Sequence, residues 1–165
     1  MNTKRIVGLA LLAFSVSCND AASPLTKTTG PVTELEAARQ LWKSQQLHTY
    51  AFLLQRSCFC GNTHPLFVVV VNDKVAGVLD FQTTESVDPK LGETVDGLFT
   101  FIQTAIDRPA RLIRANYDEV KGFPTEIDYD GAAEIADDEI FYKISDVHPI
   151  APPPGTSLAD LIRRP

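Results

Sequence analysis

Apolar residues recur along this chain with two different periods, and the switching between them outlines a fold. Leu35, Ala38, Leu41 and Trp42 fall three and four residues apart, the spacing that gathers side chains on one face of an α-helix. Thr33-Glu34-Leu35-Glu36 reads as a capping box, with Thr33 as N-cap and Glu36 reaching back. A first helix is therefore predicted from Thr33 to about Gln45. The period then becomes two. Tyr50, Phe52 and Leu54 alternate with Thr49, Ala51 and Leu53, predicting a strand over 49–56. Leu66-Phe67-Val68-Val69-Val70-Val71 is continuously apolar and mostly β-branched, as in a strand that is central or covered on both faces. Asn72-Asp73-Lys74 supplies a tight turn, and 75–81 returns as a third strand.

The helical period then resumes. Val95, Leu98, Phe99, Ile102 and Ile106 form one stripe, with Thr94 as N-cap and Pro109 as a stop. Strands follow over 111–117, 124–129 and 139–147, the first two joined by the turn Asp118-Glu119-Val120-Lys121-Gly122. The order is helix and three strands, given twice. Asp73-x-Val75-x-Gly77 loosely echoes Asp118-x-Val120-x-Gly122, a faint sign of internal duplication. The expected architecture is one α+β domain over 33–147, two helices packed on an antiparallel sheet in the order α-β-β-β-α-β-β-β.

The two ends read differently. Lys4-Arg5 precede an apolar run over 6–16 that is too short to span a bilayer, the form of a signal peptide over 1–17. Ser15-Val16-Ser17-Cys18 then fits cleavage before Cys18. It also fits a bacterial lipobox in which Cys18 is acylated, although Ser15 stands where leucine is usual. Both outcomes are open, a lipoprotein anchored through Cys18 or a freely secreted or periplasmic protein, and both take the chain to the cell envelope or beyond. Residues 18–32 read as anchor and flexible tether, and 148–165, with Pro149 and Pro152-Pro153-Pro154-Gly155, as a proline-rich tail. No later stretch is long and apolar enough to cross a membrane.

Charge narrows the partners. The whole chain carries −6. Loss of 1–17 removes two cations and no acid, leaving about −8. That disfavours nucleic acid and anionic lipid surfaces. The expected partners are the membrane through lipid on Cys18 and an envelope protein or small ligand.

Candidate chemistry is concentrated in Arg56-Ser57-Cys58-Phe59-Cys60-Gly61-Asn62. Cysteines at i and i+2 leave one face of an extended chain, and Gly61-Asn62 suits a reversal, so the stretch reads as a hairpin tip bearing a thiol pair. A Cys58–Cys60 disulfide is one reading, although a bridge across one residue is awkward in extended backbone. Metal ligation by Cys58, Cys60 and His64, suited to Cu(I) or Zn²⁺, is another, and redox chemistry a third. Glu126, Asp128, Asp130 and Gly131, with Asp137, overlay an EF-hand loop imperfectly, because position twelve is aspartate and no helix precedes it. The plain alternative is a polar strand-to-strand loop. No catalytic set assembles: there is no Gly-x-Ser-x-Gly, phosphate loop or paired-histidine zinc motif, and no cofactor is implied.

From Trp42 to Val147 the chain resembles a bacterial family of small exported proteins and lipoproteins described only as domain of unknown function 6174. The matching pieces are Tyr50-x-Phe52, Cys58-Phe59-Cys60, Val95-Asp96-Gly97-Leu98-Phe99, Tyr117-Asp118, Gly122-Phe123-Pro124-Thr125 and Asp137-Asp138-Glu139. The resemblance implies export, and it implies that the cysteine pair and the acidic triplet are regular features. It carries no activity.

Overall fold

A computed structural model describes residues 30–59, 64–108, 110–131 and 137–151. The predicted signal peptide, Cys18, most of the tether, Cys60 with Gly61-Asn62, Pro109 and nearly all of the tail lie outside these residues. Helix α1 (Pro31–Ser44) is followed by β1 (Tyr50–Cys58), β2 (Leu66–Val71) and β3 (Lys74–Asp80). Helix α2 (Val95–Asp107) and β4 (Leu112–Tyr117), β5 (Pro124–Asp130) and β6 (Ile140–Pro149) complete the predicted order. The six strands form one antiparallel sheet ordered β3-β2-β1-β6-β5-β4. No helix among the described residues is long and apolar enough to cross a membrane.

Both helices pack on one face. Leu35, Ala38 and Trp42 of α1 and Val95, Leu98, Phe99 and Ile102 of α2 share a core with Tyr50, Phe52, Leu54, Val68, Val70, Val78, Ile127 and Ile144. The core side chains of β1 are alternate residues, as the two-residue period requires. Tyr50 ties the layers together. Its ring packs edge-on to Trp42 at 5.2 Å, and its buried hydroxyl accepts from the Val95 N–H at 3.0 Å, in the first turn of α2. Burial pushes the Tyr50 hydroxyl pKa upward. Thr94 caps α2 as expected, its Oγ1 accepting from the Gly97 N–H at 2.9 Å.

Several local expectations change. Helix α1 starts at Pro31 with Gly30 as N-cap and no side-chain cap, so Thr33 lies inside the first turn. The Thr33 and Glu34 amides bond to the Gly30 carbonyl, and proline at the first helical position loses no bond there. The Asn72-Asp73 turn is tighter than predicted, with both residues at positive φ (47° and 62°), the two-residue hairpin geometry that matches strand twist. Strand β6 runs on to Pro149, which pairs with Tyr50 at the strand's end. Finally, the Asp-x-Val-x-Gly echo joins turns that are not equivalent. Asp73 sits between the second and third strands of its half, whereas Asp118 sits between the first and second strands of the other. The echo therefore does not align the halves as repeats.

Gly122 is a joint. It has φ +83°, and a Cβ there would press on the Ala38 carbonyl and lie 2.7 Å from the Trp42 amide nitrogen. Only glycine lets the β4–β5 turn approach the α1 backbone this closely.

Candidate functional site

Strand β1 outruns its first partner. Its pairing with β2 ends at Leu54 opposite Leu66, next to Pro65, whereas its pairing with β6 continues through Arg56–Tyr142 to Cys58–Ile140. Cys58 is thus a strand residue laddered to β6, beyond the last β1–β2 pair of the hairpin, and Cys60 lies outside the described residues. By alternation Arg56 and Cys58 continue the helix-side face of Leu54, while Ile140 continues that of Tyr142 and Ile144. The site is built on this overhang.

A cleft of about 370 Å³ opens there, lined by Arg56, Cys58, Phe59, Tyr129, Asp137, Asp138, Glu139 and Ile140. Its inner end meets the ring cluster of Phe101 with Tyr129 (5.2 Å) and Tyr142 (5.6 Å), both edge-on. Phe59 is 85% exposed. Asp138 is anchored by the Gly131 N–H at 3.3 Å, and a Cβ on Gly131 would collide with the Asp138 carboxylate. Asp137 turns the chain at φ +68°. The cysteine stretch and the acidic triplet, about eighty residues apart in sequence, thus share one surface. Neither the cleft nor the exposure of Phe59 was legible beforehand, because each depends on the β1–β6 register.

The residues of the two metal readings are placed as follows, Cys60 lying outside the described residues. Asp128 stands opposite Arg114 on β5, and Asp130 pairs with Arg111 at 3.4 Å. Asp137 lines the cleft beside Tyr129, whose side chain leaves β5 on the opposite face from its neighbours Asp128 and Asp130. Glu126, Asp128 and Asp130 therefore share the outer face of β5, whereas Asp137 lies at the cleft, and residues 132–136 of the EF-hand overlay lie outside the described residues. His64 turns towards the end of β3. Its Nδ1 lies 2.8 Å from Asp80 Oδ2, while Asp80 Oδ1 accepts from the Gln82 and Thr83 amides at 2.9 and 3.1 Å. The His64 hydrogen bond, helped by these amides, holds the Asp80 carboxyl below the usual carboxylate range. Among the described residues no three His, Cys, Asp or Glu side chains are grouped to hold a metal ion. Cys60 lies outside those residues.

The pieces behind the family resemblance divide into two sets. Tyr50, Val95-Asp96-Gly97 and Gly122-Phe123 are joints of the fold, with Asp96 accepting from the Trp42 indole at 3.3 Å and Phe123 buried. Cys58-Phe59 and Asp137-Asp138-Glu139 instead line the cleft. No curated protein and no solved structure matches the chain. A family model does match, over residues 34–149, which takes in both helices and all six strands apart from the first turn of α1, and the chain belongs to that family of unknown function (DUF6174).

Proposed function

We propose that this is an exported envelope module, tethered by lipid on Cys18, that binds a protein segment or small ligand in the β1–β6 cleft without covalent chemistry. The observation that carries the reading is the meeting of Cys58-Phe59 with Asp137-Asp138-Glu139 in one open cleft. An exposed aromatic beside three carboxylates suits a partner with an apolar and a cationic group, Phe59 supplying contact area and the acids selecting charge. The cysteines serve this surface as a staple between Cys58 and Cys60. That role is supported by the cysteine count: with Cys18 acylated, Cys58 and Cys60 are the two that remain in an oxidising compartment. A photo-crosslinker placed at Phe59 in the membrane-bound chain tests the reading. It should give one discrete adduct that weakens in the Asp137→Asn/Asp138→Asn variant, while a crosslinker at exposed Thr100 gives none. Equal labelling from both positions refutes it.

The second reading is a thiol-based metal (copper or zinc) or redox protein using Cys58, Cys60 and His64. It is favoured by one observation, the placement of Cys58 beside Arg56 on an open cleft, where a cation stabilises thiolate. Native and reduced intact masses separate the two. A diacylglycerol mass on Cys18 with a two-hydrogen deficit supports the stapled module, whereas bound metal or two free thiols supports the alternative.

A further inference from the structure

The two edges of the sheet are finished differently. Beyond β3 the chain folds back on itself: the Asp80 N–H donates to the Glu85 carbonyl, the Val87 N–H to the Val78 carbonyl, and Leu79 bridges Ser86. Beyond β4 no described segment pairs with the sheet. The Arg111 N–H donates inward to the Gly131 carbonyl at 2.8 Å, so by antiparallel alternation Leu112, Arg114 and Asn116 turn their N–H and C=O groups outward. Strand β4 itself is regular, since the register shift opposite Asn116 and Tyr117 falls in β5. Such an edge is a template for another strand. Beside it runs a groove of about 260 Å³ whose apolar lining includes Ile102, Ile106, Ile113 and Tyr117.

We propose that this edge pairs with β4 of a second copy of the chain, antiparallel about a two-fold axis at Ala115. An incoming strand must offer apolar side chains to the groove and polar ones to the opposite face. Strand β4 has both, with Ile113, Ala115 and Tyr117 packed against the core cluster and Arg114 and Asn116 exposed. Two central registers set outward-turned residues against each other. One opposes Arg114 to Arg114, a like-charge pair that destabilises. The other opposes Arg114 to Asn116, Ile113 to Tyr117 and Ala115 to itself. In this second register each Arg114, which has no ion pair among the described residues, meets an Asn116 whose amide donates to Glu126 at 2.9 Å. The arginine thereby gains a carboxylate across the interface, and the apolar grooves of the two copies close on each other. The strand is complementary to itself, which is what an isologous interface needs. This surface is separate from the β1–β6 cleft and stands or falls independently of it.

Sedimentation of the full chain in mild detergent should show twice the chain mass. Arg114→Pro should restore single-chain mass with an unchanged circular dichroism spectrum, because the N–H removed is one that points outward. Ala115→Cys should give a disulfide joining the introduced thiols of the two copies on mild oxidation, the spacing of a non-hydrogen-bonded strand pair being within range. If Arg114→Pro does not fold, this crosslink and the wild-type mass decide. Single-chain mass at every concentration overturns the proposal, as does a dimer that survives folded Arg114→Pro. Slow exchange of the Leu112, Arg114 and Asn116 amides in single chains would show the edge covered by the chain's own segment, and would likewise overturn it.

Discussion

The two halves of the sheet share an order of elements but not a surface. In the β1–β3 half both faces are apolar. Val68, Val70 and Val78 face the helices, while Ala51, Val69 and Leu79 are buried outside the helix-side core cluster. These outer residues are neighbours across the strands, with Ala51 opposite Val69 and, one pair along, Leu53 opposite Phe67 and Phe67 opposite Leu79. In the β4–β6 half the outer face is mostly polar, carrying Arg114, Asn116, Glu126, Asp128 and Lys143 beside the exposed Phe141, while the inner face is apolar. The capped edge belongs to the first half and the open edge to the second. The difference teaches that the chain itself covers the edge flanked by two apolar faces and leaves the edge beside the mostly polar face without a strand partner among the described residues. An unpaired edge is tolerable where its flanking face is charged and hazardous where it is apolar.

The largest expected effect tests that contrast directly. Val69→Asp places a carboxylate at a site that is 2% exposed and should destabilise by roughly 3–5 kcal/mol. Asp128→Asn, on the charged half, should stay within about 0.5 kcal/mol. Urea midpoints measure both, and similar values for the two would dissolve the distinction between the halves. Next comes Gly122→Ala, which forces a side chain at φ +83° against the α1 backbone. It should cost roughly 2–4 kcal/mol from backbone strain and overpacking together. A wild-type midpoint would mean that the β4–β5 turn does not pin the second half to α1. Thr94→Ala removes the α2 cap and should cost about 1 kcal/mol. Thermal denaturation checks it, and Thr94→Ser should restore most of the loss.

The order of elements was legible because burial on one or two faces writes itself into the period of apolar residues. Leu66–Val71 read correctly as covered on both faces or central, and the α2 stripe and its Thr94 cap read correctly too. What was hidden is what depends on partners distant in sequence. Nothing near Cys58 says that β1 continues past the predicted end at Arg56, since its extension to Cys58 is supported by β6, which arrives about eighty residues later. The cleft could therefore not be foreseen. The Asp-x-Val-x-Gly echo misled for a similar reason. Tight turns draw on few residue types, so likeness between turns says little about ancestry. Gly122 left a signal in its turn, but its closeness to α1 needed the tertiary structure.

The smallest predicted effect concerns how the first half keeps its edge capped. Asp80 is the clasp, since its carboxylate accepts from Gln82 and Thr83 while its backbone bonds to Glu85 and Thr84. Because the folded chain holds this carboxyl below its ordinary range, chiefly through His64, its contribution to stability is complete above the unfolded value of about 3.9. It is lost as the pH falls through the lower folded value. Stability should therefore decline more steeply as the pH falls below about 4 in the wild type than in His64→Ala, whose Asp80 returns towards an ordinary carboxylate. Hydrogen exchange in the same window should quicken first at the Asp80 and Val87 amides. The amides of β5 facing β4 should stay protected, because no part of that clasp reaches them. Identical acid limbs for wild type and His64→Ala would show that the histidine does not hold the clasp. Quickening of both halves together would show that the cap opens only with the whole sheet, and the two edges would then differ in form but not in stability.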